Sequence, residues 1–144
     1  MSRRFISPTP APPKSGDFQN TVCQSTLPSI EQYVIRPPPG CPLTPPKTYH
    51  QLIKTLYGLK RSPRHWYDLA TKLFMSLGLV TCHNAPCLLS GHIDGSKDKI
   101  YIDLYVDDFI CFGDSDEVEQ RFETLLSSKT LVTFDPDLSL FLGI

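Results

Sequence analysis

The chain has 144 residues, 40% of them hydrophobic and 20% charged, with a formal net charge of −1. That length builds one domain burying roughly 68–70% of its unfolded surface, and the balance excludes a disordered chain. No run approaches the ~18 apolar residues of a spanning helix, so no membrane partner is expected.

The charge is unevenly spread: residues 1–80 carry +7 and residues 81–144 carry −8. A basic half beside an acidic half suits a polyanion surface next to a site for cations; the plainer alternative is two ordinary surfaces that differ. Ser2-Arg3-Arg4 is basic, but Pro8, Pro10, Pro12 and Pro13 stand where a signal peptide needs an apolar core. The protein is therefore expected to be intracellular and cytoplasmic, not secreted. Five cysteines without framework spacing fit reduced thiols. Cys82, His83, Cys87 and His92 lack the paired spacing of a zinc site, and the cysteines read as ordinary buried thiols.

In chain order, residues 1–15 are Pro-, Ser- and Arg/Lys-rich with nothing periodic to bury, and read as a disordered lead-in. Gly16 to Gln24 reads as a strand end passing into a helical turn, broken by Leu27-Pro28. Gln32 to Ile35 is a short strand stopped by Pro37-Pro38-Pro39-Gly40, and Cys41 to Lys47 a stiff loop. Leu52 to Tyr57 is a second short apolar run, turned by Gly58. Ser62-Pro63 offers a helix cap followed by proline at the first helical position. Trp66, Ala70, Leu73, Phe74 and Leu77 then share one stripe, which predicts a helix over 63–77 ended by Gly78. Trp66 sits at a core spacing and reads as packing rather than base stacking.

Cys87 to Leu89 is a strand and Asp94-Gly95-Ser96 a turn. Lys99 to Tyr105 and Phe109 to Gly113 are two β-branched and aromatic runs around Asp107-Asp108, which predicts a hairpin with both carboxylates in its turn. Adjacent aspartates repel, where Asn-Gly or Asp-Gly would turn at no such cost. A hard divalent cation reverses that penalty; a solvated acidic turn is the plainer alternative. Asp103 falls on the face of Asp107 by the two-residue period and reads as solvated. Asp114 or Ser115 caps a second helix with Val118, Phe122, Leu125 and Leu126 inward. Thr130 to Phe134 and Leu140 to Ile144 close the chain as strands. This order predicts an α+β fold, an antiparallel sheet with helices packed on one face.

Four collinear stretches over residues 16–144 resemble the reverse transcriptase of copia-type LTR retrotransposons. Tyr105-Val106-Asp107-Asp108 is similar to that family's paired-aspartate box. Leu56-Tyr57-Gly58-Leu59-Lys60-Arg61-Ser62-Pro63-Arg64-His65-Trp66-Tyr67 is the most specific likeness. Asp17-Phe18-Gln19-Asn20 and the stretches from Gln24 to Pro28 and Tyr33 to Gly40 resemble the segment around its first catalytic aspartate. Phe141-Leu142-Gly143-Ile144 resembles the segment after the palm.

The resemblance implies a truncated palm-like sheet and RNA-directed DNA synthesis. A primer 3′-hydroxyl attacks an α-phosphorus in line, with two Mg²⁺ (or Mn²⁺) ions stabilising the attacking and leaving oxygens. It implies Asp17, Asp107 and Asp108 as catalytic and metal-holding residues, Asp17 and Asp107 bridging the ions with Asp108 beside them. It implies Val22, Gly58, Lys60, Arg61, Tyr105 and Val106 at the nucleotide and template, and an RNA/DNA primer–template and dNTPs as partners. Backbone amides and cations around Gly58 and Ser62 suit phosphate positioning; Arg64 is free to pair with a neighbouring acid instead.

Three positions depart from the family pattern: Val22 replaces an aromatic residue, Thr21 a small alanine and Ile30 an acid. Residues 1–15 do not resemble the fingers, and no thumb, RNase H or integrase segment is recognisable. The expectation is a palm fragment with weak or no polymerase activity alone. The alternative is a non-catalytic remnant that binds nucleic acid or a partner protein through its basic half; a decayed reading frame that does not fold is a third. An aromatic ring at position 22 would crowd a ribose 2′-hydroxyl, so nucleotide addition by this chain is expected to discriminate poorly between dNTPs and rNTPs. Val22→Phe should sharpen that preference in competitive incorporation; equal preference in both proteins counts against it.

Overall fold

The computed structural model describes residues 12–40, 49–136 and 138. The strands are β1 (Lys14–Phe18), β2 (Val34–Ile35), β3 (His50–Gln51), β4 (Leu79–Cys82), β5 (Ala85–His92), β6 (Lys99–Tyr105), β7 (Asp108–Gly113) and β8 (Val132–Asp135). The helices are α1 (Ser62–Ser76) and α2 (Asp116–Lys129), with a 3₁₀ turn at Val22–Gln24. Where one domain is expected, two compact units form: the described residues up to Gln19 with those from Ala70 on, and Asn20–Leu69. The boundary falls inside α1.

The first unit is an α+β layer. Its six strands run in the order β4-β5-β6-β7-β1-β8, antiparallel at every pairing. Alternation along the strands sorts two faces. Ile100, Ile102, Leu104, Phe109 and Cys111 are buried on one. Phe74 of α1 and Phe122 of α2 both reach Phe109 from that side, at ring-centre distances of 5.9 and 6.2 Å. Phe18 joins at 5.1 Å from Phe109 and Phe134 at 5.7 Å. Both helices thus cover one face, as expected, and each buried ring contributes roughly 1.5–3 kcal/mol. Gly16 pairs with Phe109 across the sheet, and a Cβ there would run into the Phe109 ring.

The helices follow their sequence signals closely. α1 buries Trp66, Ala70 and Phe74, Leu77 just past its end is buried as well, and Gly78 turns the chain with φ 97°. Its start lies one residue early: Ser62 is already helical, and its hydroxyl donates to the Leu56 carbonyl at 2.8 Å instead of capping. α2 begins after Ser115, whose hydroxyl accepts from the Val118 N–H. β1 begins at Lys14, inside the expected lead-in, because pairing with β7 and β8 holds residues of weak strand propensity. β4 was not expected; only Leu79 of its four residues is buried, so it has no alternation to read. Cys82 and Cys87, expected buried, are exposed in this hairpin. The loop from Cys41, the strand from Leu140 and the stretch Phe141–Ile144 lie outside the described residues. No helix among the described residues is long and apolar enough to cross a membrane.

The second unit is small. β2 pairs with β3, Thr26 bridges Lys54, and the buried Thr55 hydroxyl donates to the carbonyl of Val22. Thr21, a departure from the family pattern, is buried with its hydroxyl 3.2 Å from that of Tyr57, a contact alanine could not make.

One buried charge ties the first unit together. Glu119 of α2 is 1% exposed. Its Oε1 accepts from the Gly113 N–H at the end of β7 at 2.7 Å, and its Oε2 lies 3.4 Å from Lys14 Nζ on β1. Lys14 also donates to Glu123 at 2.6 Å, and that bond leads the causes that raise its pKa. Burial, with Glu119 and Glu123 nearby, pushes the Cys111 thiol up to about 12, so it stays protonated. Glu119→Ala strands the Gly113 N–H and removes one of two Lys14 partners. It is expected to cost about 1–3 kcal/mol in chemical denaturation, and Glu119→Gln less, since an amide oxygen still accepts that N–H.

Candidate functional site: carboxylates at a strained hairpin

The β6–β7 hairpin closes with Tyr105 opposite Asp108, leaving Val106 and Asp107 as its turn. The expected turn pair, Asp107-Asp108, is displaced by one residue. Asp108 is held extended because it pairs on both sides, with Tyr105 and with Asp17 of β1. Val106 takes φ 50°, a left-handed conformation that strains a β-branched residue by about 1–3 kcal/mol.

β1 places the third carboxylate. Asp17 stands directly opposite Asp108, and the next residue, Phe18, donates its N–H to the Asp107 carbonyl at 2.9 Å. Cross-strand partners put their Cβ atoms about 4.5–5.5 Å apart on one face. The Asp17 carboxyl is held above its ordinary range, first by partial burial and then by the charges of Asp108 and Asp107. Asp103 lies opposite Ile110 and is exposed. Through the Tyr105–Asp108 pairing it shares the face of Asp108, whereas Asp107 lies in the turn, where the two-residue period of β6 no longer applies. Tyr105 and Val106 are exposed.

The donors fit a hard cation chemically: carboxylate oxygens, in a set that Mg²⁺ takes together with substrate phosphates. As they stand, no three His, Cys, Asp or Glu side chains among the described residues are grouped so as to hold a metal ion.

The other candidate residues belong to the second unit. Val22 lies in the 3₁₀ turn and is 4% exposed. Gly58 turns the chain with φ 91°, and Lys60 after it is exposed. Arg61 pairs with Glu31 at 2.9 Å. Arg64 pairs with Asp68 one helical turn on, at 3.1 Å, the alternative left open for it. Trp66 is buried. The structure thus brings Asp17, Tyr105, Val106, Asp107 and Asp108 together in the first unit. Val22, Gly58, Lys60 and Arg61 are in the other. Glu31 and His65 escaped the sequence reading. Their contact joins positions 31 and 65, and no local signal marks it.

From Asp17 to Ile144 the chain matches the family described as reverse transcriptase (RNA-dependent DNA polymerase), and it belongs to that family. It is 30% identical over 128 residues to the retrovirus-related Pol polyproteins from transposons RE2 and RE1 of Arabidopsis thaliana, over 89% of its own length. It spans 9% and 8% of those relatives. No solved structure matches it. The likeness to copia-type retrotransposon polymerases read from the motifs is borne out.

A like-charge pair opposite itself across a sheet costs about 0.2–1 kcal/mol, and Asp17→Asn removes it. The native state holds the Asp17 proton more tightly than the unfolded chain, so ionisation as pH rises disfavours the fold. Asp17→Asn is therefore expected to be more stable than the parent by about that amount at pH 7. The advantage should shrink as pH falls through the raised carboxyl pKa. Denaturant midpoints at pH 4, 5.5 and 7 measure it; a constant difference, or a less stable variant at pH 7, contradicts the assignment.

Proposed function

We propose that this chain is the palm-type part of a retrotransposon reverse transcriptase, carrying the carboxylates for templated nucleotide addition. The observation that carries it is Asp17 facing Asp108 across β1 and β7, with Asp107 in the adjoining turn. Two strands far apart in sequence, with the turn between β6 and β7, bring three aspartates to one end of the sheet. An ordinary solvated acidic turn has no need of the third.

In this reading Asp17, Asp107 and Asp108 hold two divalent cations, Mg²⁺ or Mn²⁺. Bound there, the ions supply charge stabilisation for the attacking 3′-oxygen and the leaving pyrophosphate oxygen. The chain's own part is to preorganise negative charge. The sheet fixes the backbone of Asp17 and Asp108, and the adjoining turn carries Asp107. The pKa of Asp17 is raised first by partial burial and then by the charges of Asp108 and Asp107, and bound cations would offset that repulsion. Tyr105 and Val106, exposed at the hairpin, are assigned to the nucleotide and template. Lys60 and Arg61, cations beside the start of a helix, are assigned to phosphates, with Gly58 turning the chain before them, and Val22 is assigned to the sugar. The substrates are dNTPs on an RNA or DNA primer–template, and the setting is intracellular.

A non-catalytic binding module remains the second reading, favoured by the basic sequence of residues 1–80. Primer extension in Mg²⁺ or Mn²⁺ separates the two. Slow addition is expected from this chain, and Asp107→Asn should reduce it at least about 100-fold, the scale on which one charge-stabilising group acts. Primer–template affinity should hold or rise in the variant, which has lost a negative charge. Extension that survives Asp107→Asn contradicts the enzyme reading; affinity without any extension by the parent leaves the binding module.

A further inference from the structure

Within the unit Asn20–Leu69, one carboxylate holds the side chain just before α1 and another in its first turn. Glu31 Oε1 accepts from Arg61 Nη1 at 2.9 Å, and Glu31 Oε2 lies 3.1 Å from His65 Nε2. The Glu31 side chain is 11% exposed, and that of Arg61 is 68% exposed. An ion pair between two freely moving surface chains contributes little. Here one partner is fixed inside its unit and the other projects from it.

The chemistry of the pair is uneven in a useful way. Guanidinium carries five N–H donors, and the contact with Glu31 runs through Nη1, which leaves Nη2 and Nε for a second acceptor. His65, and then Arg61, hold the Glu31 carboxyl below its ordinary range, so it is ionised at neutral pH. Lys60, Arg61 and Arg64 crowd the positive end of α1, and no acid lies in its first turn. Glu31 supplies from outside the helix the counter-charge that the helix itself lacks.

We propose that Glu31 is a positioning residue for polyanion binding: it presets Arg61, with His65 as its second strut, to meet a nucleic-acid phosphate. This rests on the reading of Arg61 as a phosphate contact. Preorganising a long side chain lowers the entropy lost on binding, so the carboxylate aids affinity although its charge alone opposes a polyanion. Positioning and plain electrostatics therefore predict opposite signs.

The test is the affinity of the full chain for a primer–template duplex, by fluorescence anisotropy over a series of salt concentrations. Arg61→Gln is expected to weaken binding about threefold to tenfold at low salt and to reduce the salt slope by about one. Glu31→Ala should weaken it by a similar factor despite removing a negative charge. Glu31→Gln, which keeps an acceptor and places less demand on folding, should fall between Glu31→Ala and the parent. The double variant should be no weaker than Arg61→Gln. If Glu31→Ala or Glu31→Gln binds as well as or better than the parent while Arg61→Gln is weakened, Glu31 is only a counter-charge and the inference fails. A further loss from Glu31→Ala on top of Arg61→Gln shows that Glu31 acts through the fold, and also overturns it. If Arg61→Gln binds normally, the underlying reading of Arg61 fails first.

Discussion

The antiparallel pairing of β1 with β7 is the constraint on which the site depends. It fixes Gly16 against Phe109 and, one residue on, Asp17 against Asp108. The first pair is favourable and the second is not. Gly16 lets the Phe109 ring lie over the β1 backbone, where it meets Phe18, Phe74 and Phe122. Burial of those rings, at roughly 1.5–3 kcal/mol each, outweighs a cross-strand repulsion of about 0.2–1 kcal/mol. An apolar face thus holds a mutually repelling face in register.

Glu119 reinforces that register from behind the sheet. It touches the end of β7 through Gly113 and the start of β1 through Lys14. A buried carboxylate is expensive unless its oxygens are used, and here both strands that bear the carboxylate site supply the partners. Strain at Val106 and repulsion at Asp17 are local costs of a kind that collects at functional sites. Neither would persist on a sheet less firmly held.

Much of this was legible in the sequence. The stripe from Trp66 to Leu77, the cap at Ser115 and the paired runs around Asp107 each carry their own periodicity, and each became the element expected. What stayed hidden depends on contacts distant in sequence. Glu119 is one of several acids in the first turns of α2, and nothing local distinguishes the buried one. The one-residue shift of the hairpin turn follows from pairing with β1, which no hairpin motif encodes. The division into two units was invisible because length alone does not report where a proline-rich stretch builds its own small core. The site residues themselves came from family likeness, and the register of β1 on β7 added which aspartates face each other.

The chain belongs to the reverse transcriptase family, and in it two strands and a turn bring three acids to one end of a sheet. In the proposed function these acids, rather than the acids scattered over α2 and the loops, are where a divalent cation settles. Titration of ¹⁵N-labelled protein with substoichiometric Mn²⁺ tests that most directly. Paramagnetic broadening should appear first at the amides of Asp17, Phe18 and Asp107 to Phe109, and Asp107→Asn should abolish it. Broadening centred on Asp94 or on Asp116 to Glu119, or spread evenly over the acidic surface, would contradict the claim.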